Sequence, residues 1–135
     1  MKNRSELREI IMKVIYQVSI LKSSNLEVDL EFLIKEFLEI ENDFVKDMVN
    51  GILKNQDSLE ELANKYLSNW EISRLNKVDQ AIILLGIYEL LYTETPSVVA
   101  INEAIELSKK YSDEKVTKMI NAVLDGIYKN EKEDK

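Results

Sequence analysis

The fifteen residues Val78–Tyr92, VDQAIILLGIYELLY, decide the fold. They are apolar nearly all round, with Asp79, Gln80 and Glu89 as the polar exceptions. A buried strand rarely exceeds about eight residues, so a run of this length predicts a helix. A helix without a polar face belongs at the centre of a bundle. The segments on either side carry the complementary pattern, apolar on one stripe only. Leu7, Ile10, Ile11, Val14, Ile15, Val18 and Leu21 recur in steps of three and four, with Asn3 and Glu6, or Ser5, placed to cap the helix start. A second helix is predicted over 29–39, with Leu30, Leu33, Ile34, Phe37 and Leu38 inward. A third begins after Asn42 and turns Phe44, Val45, Met48, Val49, Ile52 and Leu53 inward. Gly51 interrupts that third helix at a cost of about 1 kcal/mol, which a close helix–helix contact would explain.

Beyond a fourth helix, about 57–69, Trp70 opens a short polar link over 71–77. After the central segment, Pro96 is expected at the first helical position with Thr95 as its cap. Val98, Ile101, Ala104, Ile105 and Leu107 are expected inward on that helix. Ser112 is expected to cap the last helix, which carries Val116, Met119, Ile120, Val123, Leu124, Ile127 and Tyr128 on its stripe; the tail NEKEDK is expected to be solvated. The expectation is an all-α, single compact bundle of about seven helices in two subdomains. These are an N-terminal one of about 1–56 and a C-terminal one of about 57–130, with 71–77 as another place for the boundary.

Composition agrees. The chain has 135 residues, 45% hydrophobic and 32% charged, with three Gly and one Pro, too few turn formers for a sandwich or barrel. It has no Cys and no His, which removes disulfides, Cys/His zinc sites and histidine acid–base chemistry. No apolar run reaches the ~18 residues of a membrane span, and the charged start lacks a signal-peptide core, so a cytoplasmic protein is expected. Nucleotide-binding glycine motifs and nucleophile elbows are missing too. Glu103 and Glu106 stand three apart on one helix, but without the histidine of a Glu-x-x-His metal bundle. The expectation is therefore a binding protein, not an enzyme, with no cofactor and no metal.

The net charge of −7 is unevenly spread: +3 over 1–22, −8 over 23–61 and −2 over the rest. An acidic total disfavours nonspecific nucleic-acid binding but leaves the first helix as a local basic edge.

Several blocks now fall in order: W-x-x-x-R-L at Trp70–Leu75, VDQAIILLGIYELL at 78–91, Thr95–Pro96, VAINEAIEL at 99–107, K-x-Y at Lys109–Tyr111 and N-x-V-L-D at Asn121–Asp125. With Arg8, Tyr16 and Gln17 in the first helix and Gly51 in the third, this succession resembles the NusB family of transcription antitermination factors. The resemblance implies an all-helical fold of two subdomains. It also implies a partner, NusE, a ribosomal protein of the small subunit. The pair would bind the single-stranded boxA element of nascent transcripts, notably of rRNA, within the RNA polymerase elongation complex.

Carried over residue by residue, the RNA surface would comprise Lys2, Arg4, Arg8, Lys13, Tyr16, Tyr111, Lys115, Lys118 and Met119. Cations would neutralise phosphates and aromatic rings would stack on unpaired bases. Tyr16 and Tyr111 could equally be core aromatics, Met119 packing, and the lysines ordinary surface charges. Asp79 corresponds to a partner-contact position, with Glu89, Glu103 and Glu106 added by charge; helix caps and solvation are the alternative for these four. Many family members have a dense arginine run where this chain has only Arg4 and Arg8, and usually Gly where it has Ala122. Weak binding to boxA without NusE is the consequence. Arg8→Ala with Lys118→Ala is expected to weaken RNA binding and leave the fold intact. A protein–protein adaptor or homodimer with lost RNA binding, and a carboxylate metalloenzyme of the bundle type, are the competing readings.

Overall fold

The computed structural model describes residues 2–132. Among them are seven α-helices: α1 (Arg4–Ser23), α2 (Leu30–Phe37), α3 (Asp43–Lys54), α4 (Gln56–Tyr66), α5 (Lys77–Tyr92), α6 (Ser97–Tyr111) and α7 (Glu114–Glu131). A 3₁₀ turn at Ile72–Arg74 lies within the link expected to be irregular, and Ile72 is buried. No strand occurs among the described residues.

Side-chain caps fix most helix starts. Asn3 and Glu6 form a reciprocal capping box on α1, with N···O distances of 2.9 and 3.0 Å. Asp29, Asn42, Asn76 and Asp113 each accept from the amide three residues on. Such caps contribute about 1 kcal/mol apiece. Two expected caps differ. Asp113, not Ser112, caps α7, and the Ser112 hydroxyl instead donates to the Asp79 carboxylate. Pro96 stands just before α6 as its N-cap rather than inside it, and Thr95 Oγ1 donates to Glu89 Oε2 at 2.8 Å. In both cases a buried or half-buried carboxylate from α5 outcompetes the helix end for the hydroxyl.

The central segment is the hub. α5 packs against α1, α3, α4, α6 and α7, and residues 81–87 are buried without a break. Gly86 admits this crowding: a Cβ there would stand 3.1 Å from both the Ala104 Cβ and Leu124 Cδ1. Gly51 marks the close contact expected of it, since a Cβ would overlap the Tyr88 ring and stand 2.8 Å from its Cε1. α2 is the loosest element, with no fully buried residue; its expected inward residues are only half-buried and Phe32 is exposed.

Two further positions depart from the apolar stripes. Val98, expected inward, is 69% exposed, and Ser97 is buried in its place because α6 starts one residue later than the Pro96 reading requires. Within the expected tail, Asn130 and Glu131 extend α7, and Glu131 accepts from Lys65 and Tyr66 of α4; 133–135 lie outside the described residues. Among the described residues no helix is long and apolar enough to cross a membrane.

Candidate nucleic-acid interface

Polar contacts tie the first turns of α1 to α6 from its middle to its end. Ser5 Oγ donates to Glu103 Oε1 at 2.6 Å. One to two turns further, Glu9 accepts from Lys110 Nζ at 2.9 Å and from the Tyr111 hydroxyl. Lys13 Nζ stands 3.7 Å from the same Glu9 carboxylate. The first helix is thereby joined to the α6–α7 junction, and Glu114 opens α7 three positions after Tyr111. The polar contacts of α1 thus reach the end of α6, next in sequence to the start of α7.

This edge is cationic and aromatic. Lys13 and Lys110 flank Glu9 with exposed ammonium groups, and the Tyr111 ring is 37% exposed. Lys115 and Lys118 project from the first turns of α7, Lys118 within 3.7 Å of Glu114. Tyr16 and Met119 are half-buried and packed against the core, so each serves packing while keeping some surface. Lys2 and Arg4 are exposed at the start of α1. The Tyr111 hydrogen bond and the Lys110 ammonium hold the Glu9 carboxyl below its ordinary range against the pull of partial burial. Burial, with the charge of Glu9 adding to it, pushes the Tyr111 phenol up to about 12, so it stays a donor at neutral pH.

Arg8 is placed differently. It is 5% exposed, and its guanidinium grips Glu89 bidentately, Nε to Oε1 at 2.7 Å and Nη2 to Oε2 at 2.6 Å. Nη1 reaches Glu103 at 3.1 Å. Burial opposes the charge, yet the two carboxylates outweigh it and hold the guanidinium above its ordinary pKa. Arg8→Ala would strand Glu89, itself 1% exposed, so that substitution is not the fold-sparing one expected from the sequence. Glu89, assigned to a partner surface by charge, and Asp79 (2% exposed), assigned to it by the family resemblance, are likewise turned inward. Burial raises the Asp79 carboxyl; the Ser112 hydroxyl opposes and Asp113 adds. Glu103 keeps a partly exposed carboxylate, and Glu106 is exposed and paired with Lys109 at 3.0 Å. Among the described residues no cluster of His, Cys, Asp or Glu could hold a metal ion.

Sequence reading missed Lys110 and Phe44. Lys110 was the unassigned middle residue of K-x-Y, and its helical position beside Tyr111 was the available signal. Phe44, expected inward, is half-buried and offers its ring to Arg4, whose guanidinium carbon lies 3.9 Å from the centroid. Ala122 is exposed on α7, so a methyl where the family usually has Gly meets no obstacle.

Comparison with known proteins agrees with this architecture. The NusB family pattern matches residues 5–129. The transcription antitermination protein NusB of Pediococcus pentosaceus is 42% identical over 134 residues, covering 94% of this chain and 98% of that protein. The solved structure of NusB from T. maritima superposes with a TM-score of 0.81 at 32% identity, covering 96% of this chain and 94% of the other. The NusB chain of a crystal structure of antitermination factors NusB and NusE in complex with dsRNA superposes with a TM-score of 0.78 at 28% identity, covering 93% and 96%. These names describe a transcription factor and no enzyme. With the helical order, the central apolar helix and the matched length all in agreement, the chain belongs to the NusB family.

Proposed function

We propose that this protein is a transcription antitermination factor that binds the single-stranded boxA element of nascent transcripts, notably rRNA, jointly with NusE. It would act in the cytoplasm as part of the RNA polymerase elongation complex. The observation that carries the reading is the joining of α1 to the α6–α7 junction through Glu9, Lys110 and Tyr111. On this reading Lys13, Tyr16, Lys110, Tyr111, Lys115, Lys118 and Met119 form a cationic, aromatic RNA surface, with Lys2 and Arg4 added at the head of α1. Lysines neutralise phosphates, and an exposed tyrosine face stacks on an unpaired base. The relative crystallised with NusE and dsRNA supports NusE and RNA as the two classes of partner.

Several of these lysines already answer to carboxylates, Lys13 and Lys110 to Glu9 and Lys118 to Glu114. Their charge is partly neutralised, so affinity for RNA alone is low and NusE supplies much of the positive field. The partly exposed Glu103 and the exposed Glu106 are the acids left to face that basic partner. The same pairing favours a second reading, an adaptor or homodimer that has lost RNA binding.

A gel shift with boxA RNA, with and without NusE, separates the two. Binding that strengthens on adding NusE supports antitermination; NusE binding or self-association indifferent to RNA supports the adaptor. Lys115→Ala with Lys118→Ala reduces the salt dependence by about 0.7 in log–log slope per lost phosphate contact. An unchanged slope would move the RNA path off α7.

A further inference from the structure

A second feature lies around the start of α1, away from Tyr111. Arg4, Phe44 on α3, Tyr88 and Tyr92 on α5, and Val99 on α6 line an open cleft of about 650 Å³. That volume suits a group of nucleobase size with room for its sugar. Tyr88 and Tyr92 stack on each other, centroids 5.1 Å apart and planes within 11°. The outer ring is uncovered: Tyr92 is 51% exposed and Val99 40%. Arg8 also reaches the cleft, but Glu89 and Glu103 neutralise it. Arg4 is different. Among the described residues it has no carboxylate partner and rests on the Phe44 face.

We infer that this cleft is a base-binding pocket for the RNA. An unpaired base stacks on the free face of Tyr92, and Arg4 takes the adjoining phosphate. The inference rests on the RNA reading above and extends it from Arg4 to Tyr92, which that reading does not use.

Three observations favour a base over other occupants. A flat aromatic ledge that already carries one stacked ring offers the surface on which bases bind irrespective of sequence. Arg4, with no carboxylate partner among the described residues, suits a phosphate. The carboxylates of Asp47 and Glu94, also in the lining, can accept from the amino or imino hydrogens of a base. Arg4 and Lys13 are nine residues apart on one helix, about 13 Å along its axis and half a turn around it, so a strand reaching both would cross the head of α1.

The test uses boxA RNA carrying 2-aminopurine at one position at a time, titrated with the protein and NusE together. One position is expected to lose fluorescence on binding through stacking. Tyr92→Leu abolishes that quenching and weakens RNA binding about five- to a hundredfold. Tyr92→Phe retains both, and Arg4→Gln lowers affinity and salt dependence. Tyr92 and Arg4 are exposed, so unchanged melting temperatures are expected of all three variants. RNA binding that ignores Tyr92→Leu overturns the pocket and leaves the function standing. Failure of the unaltered protein with NusE to bind boxA RNA overturns both. Tyr92→Leu that weakens NusE binding but not RNA binding would make the cleft a protein site and overturn the inference.

Discussion

At Arg8 a guanidinium and the Glu89 carboxylate are held almost out of water, with the partly exposed Glu103 completing the group. Each ion would cost several kcal/mol alone; together they satisfy each other's hydrogen bonds. Arg8→Ala therefore lowers unfolding free energy by about 3–5 kcal/mol, read from the urea midpoint, because Glu89 remains behind unpaired. Glu89→Gln added to Arg8→Ala restores part of the loss, since a neutral amide is cheaper to bury; no recovery would mean that packing, not charge, holds this corner. Glu9 titrates with the opposite emphasis, at the surface. Its carboxyl is held below the ordinary value by Tyr111 and Lys110. A depressed acid stabilises the fold above its unfolded pKa, and that contribution disappears as pH falls through the lower folded value. Glu9→Gln is thus less stable than the parent at pH 7, and thermal melts at successive pH values converge below about 4. A gap that persists into acid would assign the effect to shape. Neither role was legible in the sequence. Only the fold brings Glu89, 81 positions away, into reach of Arg8.

Among the elements, helix starts and the central helix were legible and the flanks were not. Asn3 with Glu6, Asn42 and the largely apolar run of α5 each act through neighbours within four residues, so local pattern contains them. Val98 was misplaced because which residue of a stripe faces inward depends on the partner helix and on where the first turn begins. Ser112 and Thr95 were taken as caps because a hydroxyl at a helix start usually serves there; long-range carboxylates claimed them instead. Gly51 is the instance in which a local oddity correctly announced a tertiary contact. The Tyr88 ring occupies the space of its missing side chain, where α3 crosses α5. Gly51→Ala gains up to ~1 kcal/mol of helix propensity but overpacks this crossing by about 1–3 kcal/mol. Net destabilisation is expected in denaturant titration. In a Tyr88→Leu background the clash is relieved and the same substitution becomes neutral or stabilising. Additive effects of the two changes would show that Tyr88 does not set the spacing of α3 and α5.

At the scale of the whole molecule, α5 decides whether the two halves of the chain behave as one. α1 and α3 pack on it from one side of the sequence, α4, α6 and α7 from the other. We propose that the subdomain boundary falls at Asn55, the single residue between α3 and α4, with α5 as the shared wall. A shared wall couples the halves, because neither can unfold without exposing apolar surface of the other. Leu85 sits in that wall, 1% exposed. Leu85→Ala removes its packing and leaves a cavity, at a cost of about 2–5 kcal/mol. Far-UV circular dichroism averages over all the helices, whereas the fluorescence of Trp70, 41% exposed in the link before α5, reports locally. Both probes should give one coincident urea transition in the parent, and both should shift by the same amount in the variant. A variant in which the Trp70 transition moves while the helical signal splits into two steps would mean that the halves fold separately. The contact joining α1 to the α6–α7 junction would then depend on Glu9, Lys110 and Tyr111 alone, and RNA affinity would fall well before the helices melt.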